Sequence, residues 1–412
     1  MRLLIISQYF WPETFVINDI ARLLQARGVE VTVLTGKPNY PGGDIHSGYR
    51  ASGVQRESLD GVDVVRVPLV TRGQNSRMRL ALNYLSFLSA ASILGPFALK
   101  GKAFDAVLVY GISPLLQALA GMVLSGVKKA PLVVWVQDLW PESLSATGYV
   151  TNKTLLAIIS TLVRRIYKSA TLVLIQSRAF RAPVETLCDD PRKIIYYPNL
   201  YQRPPIAAAS PRASELANKL RGSFSVVFAG NIGTAQDPET ILRVARLLKV
   251  QPDIRIVLVG SGSREKCMAE SAAVQGLDNL EFAGRFPSSD MPHIFEGAAV
   301  LLVTLAAQPI FGLTIPSKVQ AYLAAGRPII GALDGEPARI IAEAQAGICV
   351  PAGDAKALAS AILKLHGMSD AERQTMGRRG TAYFEQNFAP EKLTTDLIAL
   401  LKSEIVAWGK AT

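Results

Sequence analysis

The stretch Val226–Asp237, VVFAGNIGTAQD, reads as a buried strand that enters a glycine-punctuated turn, with a helix start at Asp237-Pro238. A first strand-turn-helix unit has already begun at RLLIISQYFWPE, Arg2 to Glu13. A restart past the middle of a 412-residue chain predicts two domains, because one core rarely serves so many residues. Between these starts, short Val-, Ile- and Leu-rich runs alternate with helical-period segments, the pattern of parallel sheets covered by helices on both faces. Strands are expected at 3–7, 30–34, 62–67, 106–110, 132–136, 171–175 and 193–197, then at 224–229, 254–260, 280–283, 299–304, 328–332 and 347–350. A helix over 17–27 should stop at Gly28. The fold class is therefore α/β, with doubly wound domains at 1–198 and 223–389. A linker at 199–222, a Pro-, Ala- and Ser-rich passage followed by a short helix, joins them, and a last helix over 390–412 could pack back across the junction. In such sheets ligands bind beyond the carboxyl ends of the strands, so two sheets facing each other would enclose a central cleft.

With 49% hydrophobic and 19% charged residues, the chain can bury both cores. Charge is uneven: residues 1–200 hold 22 Lys and Arg against 13 Asp and Glu, the remainder 22 against 20. A basic first half suits an anionic partner such as a phosphate-rich substrate, nucleic acid or a lipid surface. No nucleic-acid module with interleaved aromatics accompanies it. Three dispersed cysteines argue against a disulfide framework or a zinc site. The initial LLII run is too brief for a secretory signal, so the expectation is a cytoplasmic protein.

One segment stands apart. LALNYLSFLSAASILGPFAL, between Arg79 and Lys100, is uncharged for 20 residues, long enough to span a bilayer. Asn83, three serines and Gly95-Pro96 weigh against spanning. A core helix and a helix lying in the membrane interface stay open. The flanking Arg72, Arg77, Arg79, Lys100 and Lys102 favour the interface, where each basic residue near anionic headgroups contributes about 1 kcal/mol.

The turn GNIGTAQD has the strand-to-helix setting that can hold a phosphate on backbone N–H groups, but it is neither a dinucleotide fingerprint nor a Walker loop. In FGLTIPSKVQAYLAAGRPII, residues 311–330, Phe311, Gly312, Leu313 and Thr314 are expected as a loop, with Pro316 opening a helix that places Ser317 and Lys318 in its first turn. Lysine there opposes the helix dipole, a conflict that a bound anion would resolve. In the first half, VVWVQDLWPES leads from a strand into Gln137, Asp138, Trp140 and Glu142. The earlier strands lead into Glu13 and Asn18, and into Lys37, Asn39 and Tyr40. These loops should share one sheet edge. No Gly-x-Ser-x-Gly elbow, Asp-x-Asp pair or metal-like histidine spacing occurs, so no metal or cofactor is expected.

Taken together, QYFWPE…IND, LTGKPNYPGG, QDLWPES, FAGNIGTAQ, VLVGSG, PSKVQAYLAAGRPII and GEPARII resemble the retaining glycosyltransferases of the GT-B fold. The nearest group is the bacterial O-antigen, capsule and colanic-acid sugar transferases, especially those for N-acetyl-L-fucosamine. The resemblance implies a C-terminal domain that grips a nucleotide-diphosphate sugar, here uridine-diphosphate-linked, without a metal. It also implies an N-terminal domain that receives a polyprenyl-diphosphate-linked saccharide, with the enzyme peripheral on the anionic cytoplasmic face of the inner membrane. Carried onto this chain, Gly230, Asn231, Gly233 and Gln236 would border the diphosphate and sugar, and Gly260, Ser261, Arg285 and Phe286 the nucleoside. Phe311 to Thr314 with Ser317 and Lys318 would hold the phosphates or the donor sugar, while Asn18, Asn39, Tyr40, Gln137 and Trp140 would face the acceptor.

The chain departs from the family in three places. Asn231 and Gln236 stand where Arg and Lys are usual, no glutamate pair occurs around Phe311 to Ala321, and Gln137 replaces a histidine. Lys318 with Arg285 is therefore expected to supply the missing charge, and Asp138 or Glu13 to take a catalytic role. A nucleotide-sugar 2-epimerase and a non-catalytic scaffold of a polysaccharide-assembly complex are the competing readings.

Overall fold

The computed structural model describes residues 1–73, 76–146, 152–205 and 208–411; positions 206–207 of the expected linker and residue 412 lie outside the described residues. The chain forms two compact units, Met1–Asn199 with Pro390–Thr412, and Leu200–Ala389.

The first unit is built on strands β1 (Arg2–Ser7), β2 (Glu30–Thr35), β3 (Gln55–Leu59), β4 (Val62–Arg66), β5 (Ala106–Gly111), β6 (Leu132–Val136), β7 (Leu172–Ile175) and β8 (Ile194–Tyr196), in the order β3-β4-β2-β1-β5-β6-β7-β8. β2 and β5 flank β1 in parallel, so the strand order reverses at β1. All neighbours are parallel except β3, which runs antiparallel to β4. β3 is absent from the expected strands because QRESL has no apolar run. Its residues alternate between half-buried and exposed at the sheet edge, where charge also discourages further pairing. The helix Val16–Ala26 buries Ile17, Ile20, Ala21 and Leu24 and ends at Gly28, whose φ of +78° permits the turn.

At the centre of this sheet the Trp135 indole is fully buried between Tyr110 and Tyr197 and donates Nε1–H to the Tyr197 carbonyl at 3.0 Å. The terminal helix Pro390–Ala411 belongs to this unit: Tyr197 Oη donates to the Leu393 carbonyl at 3.0 Å, and Leu397 and Leu401 are fully buried.

The helix Arg77–Ala98 corrects the core-helix option. Asn83, Phe87, Ala91 and Gly95 form its buried stripe, four residues apart, while Met78, Leu82, Leu85, Ile93 and Phe97 are exposed. Only 22% of its most apolar window is buried.

The second unit holds β9 (Phe224–Ala229), β10 (Ile254–Val259), β11 (Leu280–Gly284), β12 (Val300–Thr304), β13 (Ile329–Ala332) and β14 (Gly347–Val350), all parallel, in the order β11-β10-β9-β12-β13-β14. Alternate residues feed opposite cores: Val227, Val257 and Leu301 join one cluster, Val226, Ile256 and Leu302 the other. The segment expected as the linker ends in the helix Pro211–Arg221, which buries Ala213, Leu216 and Leu220 in the first of these cores.

Tyr197→Phe should cost the first unit about 1 kcal/mol, the net worth of one hydrogen bond. Chemical denaturation with amide exchange along Pro390–Ala411 checks this, with faster exchange expected in that helix.

Candidate active site

The carboxyl ends of β9, β10 and β11 meet backbone to backbone. Gly230 N–H donates to Val259 O at 2.8 Å, Ile232 N–H to Ser261 O at 2.9 Å, and Gly260 N–H to Gly284 O at 2.8 Å. Gly260 has φ +139°, and a Cβ there would lie 1.9 Å from the Gly230 carbonyl oxygen. Gly262 is as tight, since its Cβ would lie 2.3 Å from Ile232 O. Side chains cannot enter these turns, so main-chain groups line the edge.

A third wall comes from the helix Ser317–Ala325. Tyr322 Oη accepts from Ala229 N–H at 2.9 Å, docking this helix on the end of β9. One turn earlier, Lys318 reaches under Gly230: a Cβ on Gly230 would meet Lys318 Cε at 2.6 Å and Nζ at 3.2 Å. The Lys318 ammonium lies 3.7 Å from the centroid of the Phe228 ring and donates to Gln236 Oε1 at 2.7 Å. Burial lowers its pKa to about 7, because the charged form has lost water and is met by an amide oxygen in place of a carboxylate. The helix N-cap is Pro316, which supplies no capping hydrogen bond.

These walls enclose a pocket of about 560 Å³ within the second unit. Gly230, Asn231, Gly260, Ser261, Arg285, Phe286, Ser317 and Lys318 line it, and so do Tyr201, Pro204, Ser288 and Met291, which the sequence reading missed. Tyr201 and Pro204 come from the segment expected to be a plain linker. Among the described residues, the charged ones in the lining are Arg285 and Lys318, with no carboxylate beside them. Two cations beside close-packed glycine backbone suit a diphosphate.

Two expectations for this unit need correction. The helix after β9, Pro238–Leu248, does not offer an open amino end: Asp237 caps it, accepting from Thr240 N–H at 3.4 Å and Thr240 Oγ1 at 2.5 Å. An anion would therefore sit on the glycine turns, not on this helix. Phe311, Gly312 and Leu313 belong to the short helix Pro309–Leu313, not a loop, and with Thr314 they are outside the pocket lining. Gly312 approaches Gly335 instead, where a Cβ would lie 2.1 Å from the Gly312 carbonyl oxygen. Gly233 and Gln236 also stand outside the lining. Asn231 folds over Gly233, and Gln236 is the partner of Lys318.

In the first unit the expected residues lie on one sheet edge but in two groups. Glu13 is 3% exposed and accepts from Asn39 N–H at 2.8 Å, Tyr40 N–H at 2.7 Å and Phe10 N–H at 3.2 Å, tying the loops after β1 and β2 together. Burial raises its pKa, opposed by these amides. Asn18 donates to Glu13 O at 2.6 Å and Asn39 to Lys37 O at 2.8 Å, while the Tyr40 ring packs on Tyr9 and Phe15. In the second group, Asp138 accepts from Ser113 N–H at 2.8 Å, and Trp140 Nε1–H donates to Ser113 Oγ at 2.8 Å. Burial raises the Asp138 pKa. Gln137 is buried beside them, its carbonyl accepting from Gln176 at 3.1 Å. Among the described residues no group of three or more His, Cys, Asp or Glu side chains is placed to hold a metal.

Sequence families described as "Glycosyl transferase 4-like domain" and "Glycosyl transferases group 1" match residues 14–199 and 223–367. The chain is a glycosyltransferase whose residues 223–367 match the group 1 domain. The crystal structure of Anabaena HepE in complex with UDP superposes on this glycosyltransferase with a TM-score of 0.68, at 16% identity over 98% of this chain and 100% of that one, which shows the GT-B fold. WbjE of Pseudomonas aeruginosa, a glycosyltransferase by name, is 26% identical over 262 residues, 62% of this chain; the match spans 64% of that relative's length. WcaI of Escherichia coli K12, a colanic acid biosynthesis glycosyl transferase by name, is 24% identical over 341 residues, 79% of this chain and 82% of its own.

A diphosphate beside Lys318 would raise its pKa again, so binding should take up a proton above pH 7. Affinity for a nucleotide-diphosphate sugar is then full below pH 7 and falls as pH rises, by up to about tenfold per unit. Because the folded pKa lies below the unfolded one, the empty glycosyltransferase binds fewer protons than its unfolded chain above pH 7 and gains stability as pH rises. Lys318→Met should therefore flatten the pH dependence in titration calorimetry, and should raise the melting temperature of the empty protein at pH 6 more than at pH 9.

Proposed function

We propose that this protein moves a hexosyl group, with retention at the anomeric carbon, from a uridine-diphosphate-linked sugar to a polyprenyl-diphosphate-linked saccharide in bacterial surface polysaccharide synthesis. The observation that carries this reading is the charge balance of the pocket: Lys318, Arg285 and glycine-turn backbone face a space whose lining has no carboxylate. Support for UDP comes from HepE, whose crystal structure is a complex with UDP, and support for a polysaccharide role from the name of WcaI. N-acetyl-L-fucosamine is the donor sugar favoured by the sequence resemblance.

In this reading the bond between the anomeric carbon and the diphosphate oxygen breaks with its electrons going to the diphosphate. Groups already aimed at those oxygens lower the barrier because they need no reorganisation as the charge grows. Lys318 does this once protonated. Gln236 and the Phe228 ring hold its amine in place beforehand, and no metal is part of the proposed chemistry. Asp138, its pKa raised by burial, is the proposed acceptor of the proton from the attacking hydroxyl. Glu13 is proposed to act through the loops it ties. Acceptor contacts fall to Asn18, Asn39, Tyr40, Gln137 and Trp140.

The exposed apolar residues of Arg77–Ala98, flanked by basic side chains, are proposed to rest on the anionic cytoplasmic surface of the inner membrane, where the lipid-linked acceptor resides.

Lys318→Ala should lower turnover roughly a hundredfold or more, the cost of losing one such donor, in an assay of labelled donor with membrane lipid extract. Near-parental turnover would overturn the assignment, and sugar nucleotide isomerised without acceptor would favour the epimerase. The pair Ile93→Glu and Phe97→Glu should abolish sedimentation with anionic vesicles while leaving the melting temperature unchanged, since both side chains are exposed.

A further inference from the structure

The turn that closes β11 carries Arg285 and Phe286 into the pocket, yet it is held from outside the pocket by Arg212, on the helix Pro211–Arg221. The Arg212 guanidinium lies 4.2 Å from the centroid of the Phe286 ring. Its Nη1 donates to Arg285 O at 3.0 Å and its Nη2 donates to Ala283 O. One planar group thus spans two carbonyls and one aromatic face of a four-residue turn. Gly284, at φ +73°, lies in that span, and a Cβ there would approach Arg212 Nη2 at 3.1 Å.

The helix bearing Arg212 is itself anchored to the pocket wall. Ser210, its N-cap, donates from N–H and Oγ to the buried Asp290 carboxylate at 3.1 and 2.7 Å. Asp290 directly precedes Met291 and follows Ser288 by two residues, and both of those line the pocket. The two ties together set the position of the turn against the β10 end, where Gly260 N–H reaches Gly284 O.

We infer that Arg212 is a positioning residue for the nucleoside end of the donor: it touches no substrate, and it holds Phe286 and Arg285 where a base and ribose are bound. This rests on the donor-pocket reading above. The diphosphate end, at Gly230 and Lys318, is built from other elements, β9 and the helix Ser317–Ala325. Arginine is needed because its planar guanidinium can lie flat on the ring while two of its nitrogens reach the two carbonyls, and the compact ammonium of a lysine cannot stack in this way.

The test is titration calorimetry of parent, Arg212→Met and Arg212→Lys with UDP and with inorganic pyrophosphate, alongside melting curves and donor kinetics. Both variants should weaken UDP about tenfold, equivalent to about 1.4 kcal/mol, and shift pyrophosphate by less than about twofold. Donor KM should rise by the same factor with kcat retained. Parental UDP affinity in Arg212→Met, or equal weakening of UDP and pyrophosphate with a lower melting temperature, would assign Arg212 a merely structural part and overturn the inference. A parent that binds neither ligand would instead sink the donor-pocket reading on which it stands.

Discussion

The contact on which the second unit's chemistry depends is the meeting of two glycine turns, Gly230 after β9 and Gly260 after β10. The backbones approach so closely that a single methyl group on Gly260 would lie 1.9 Å from the Gly230 carbonyl oxygen. Once both turns are bare, the Lys318 side chain has a channel beneath Gly230, and main-chain atoms in place of side chains form the surface there. A side chain at either position would fill that channel or push the strand ends apart.

The same arrangement sets a cost. Lys318 is a buried amine whose partners are an amide oxygen and an aromatic face, which stabilise an ammonium less than a carboxylate or water would. The empty pocket therefore holds a poised cation, for which a diphosphate bound as proposed would supply the missing counter-charge. Stability is given up at the place where binding needs it, as in other sites built for function.

The first unit spends its polar groups differently. Glu13, Asn18 and Asn39 sit at strand ends, where substrate contact is expected, but their atoms hold neighbouring loops together through backbone groups. Trp140 and Asp138 share Ser113 in the same manner. A shaped edge results, with Tyr40 half-buried among aromatic rings. The Arg77–Ala98 helix adds a second surface, apolar and unburied, because a stripe repeating every four residues buries only one narrow side of a helix.

Much was legible in the residues themselves. Among the described residues, apolar runs marked thirteen of the fourteen strands, because a strand covered on both faces is apolar along most of its length, and β3 escaped because an edge strand need not be. The glycine turn, the Pro316 helix start and the conflict of Lys318 with its helix dipole were equally local signals. Other matters belong to the tertiary structure alone: that Asp237 occupies the helix end expected for phosphate, that Phe311–Leu313 turn away towards Gly335, that Tyr201 and Pro204 enter the pocket, and that Arg212 holds Phe286 from 74 positions away. Sequence by itself determined the two-sheet architecture and the edges where ligands gather, since periodicity and backbone freedom are properties of neighbouring residues. Which side chain meets which across those edges was decided only by folding, because such contacts join segments far apart in the chain and leave no local pattern.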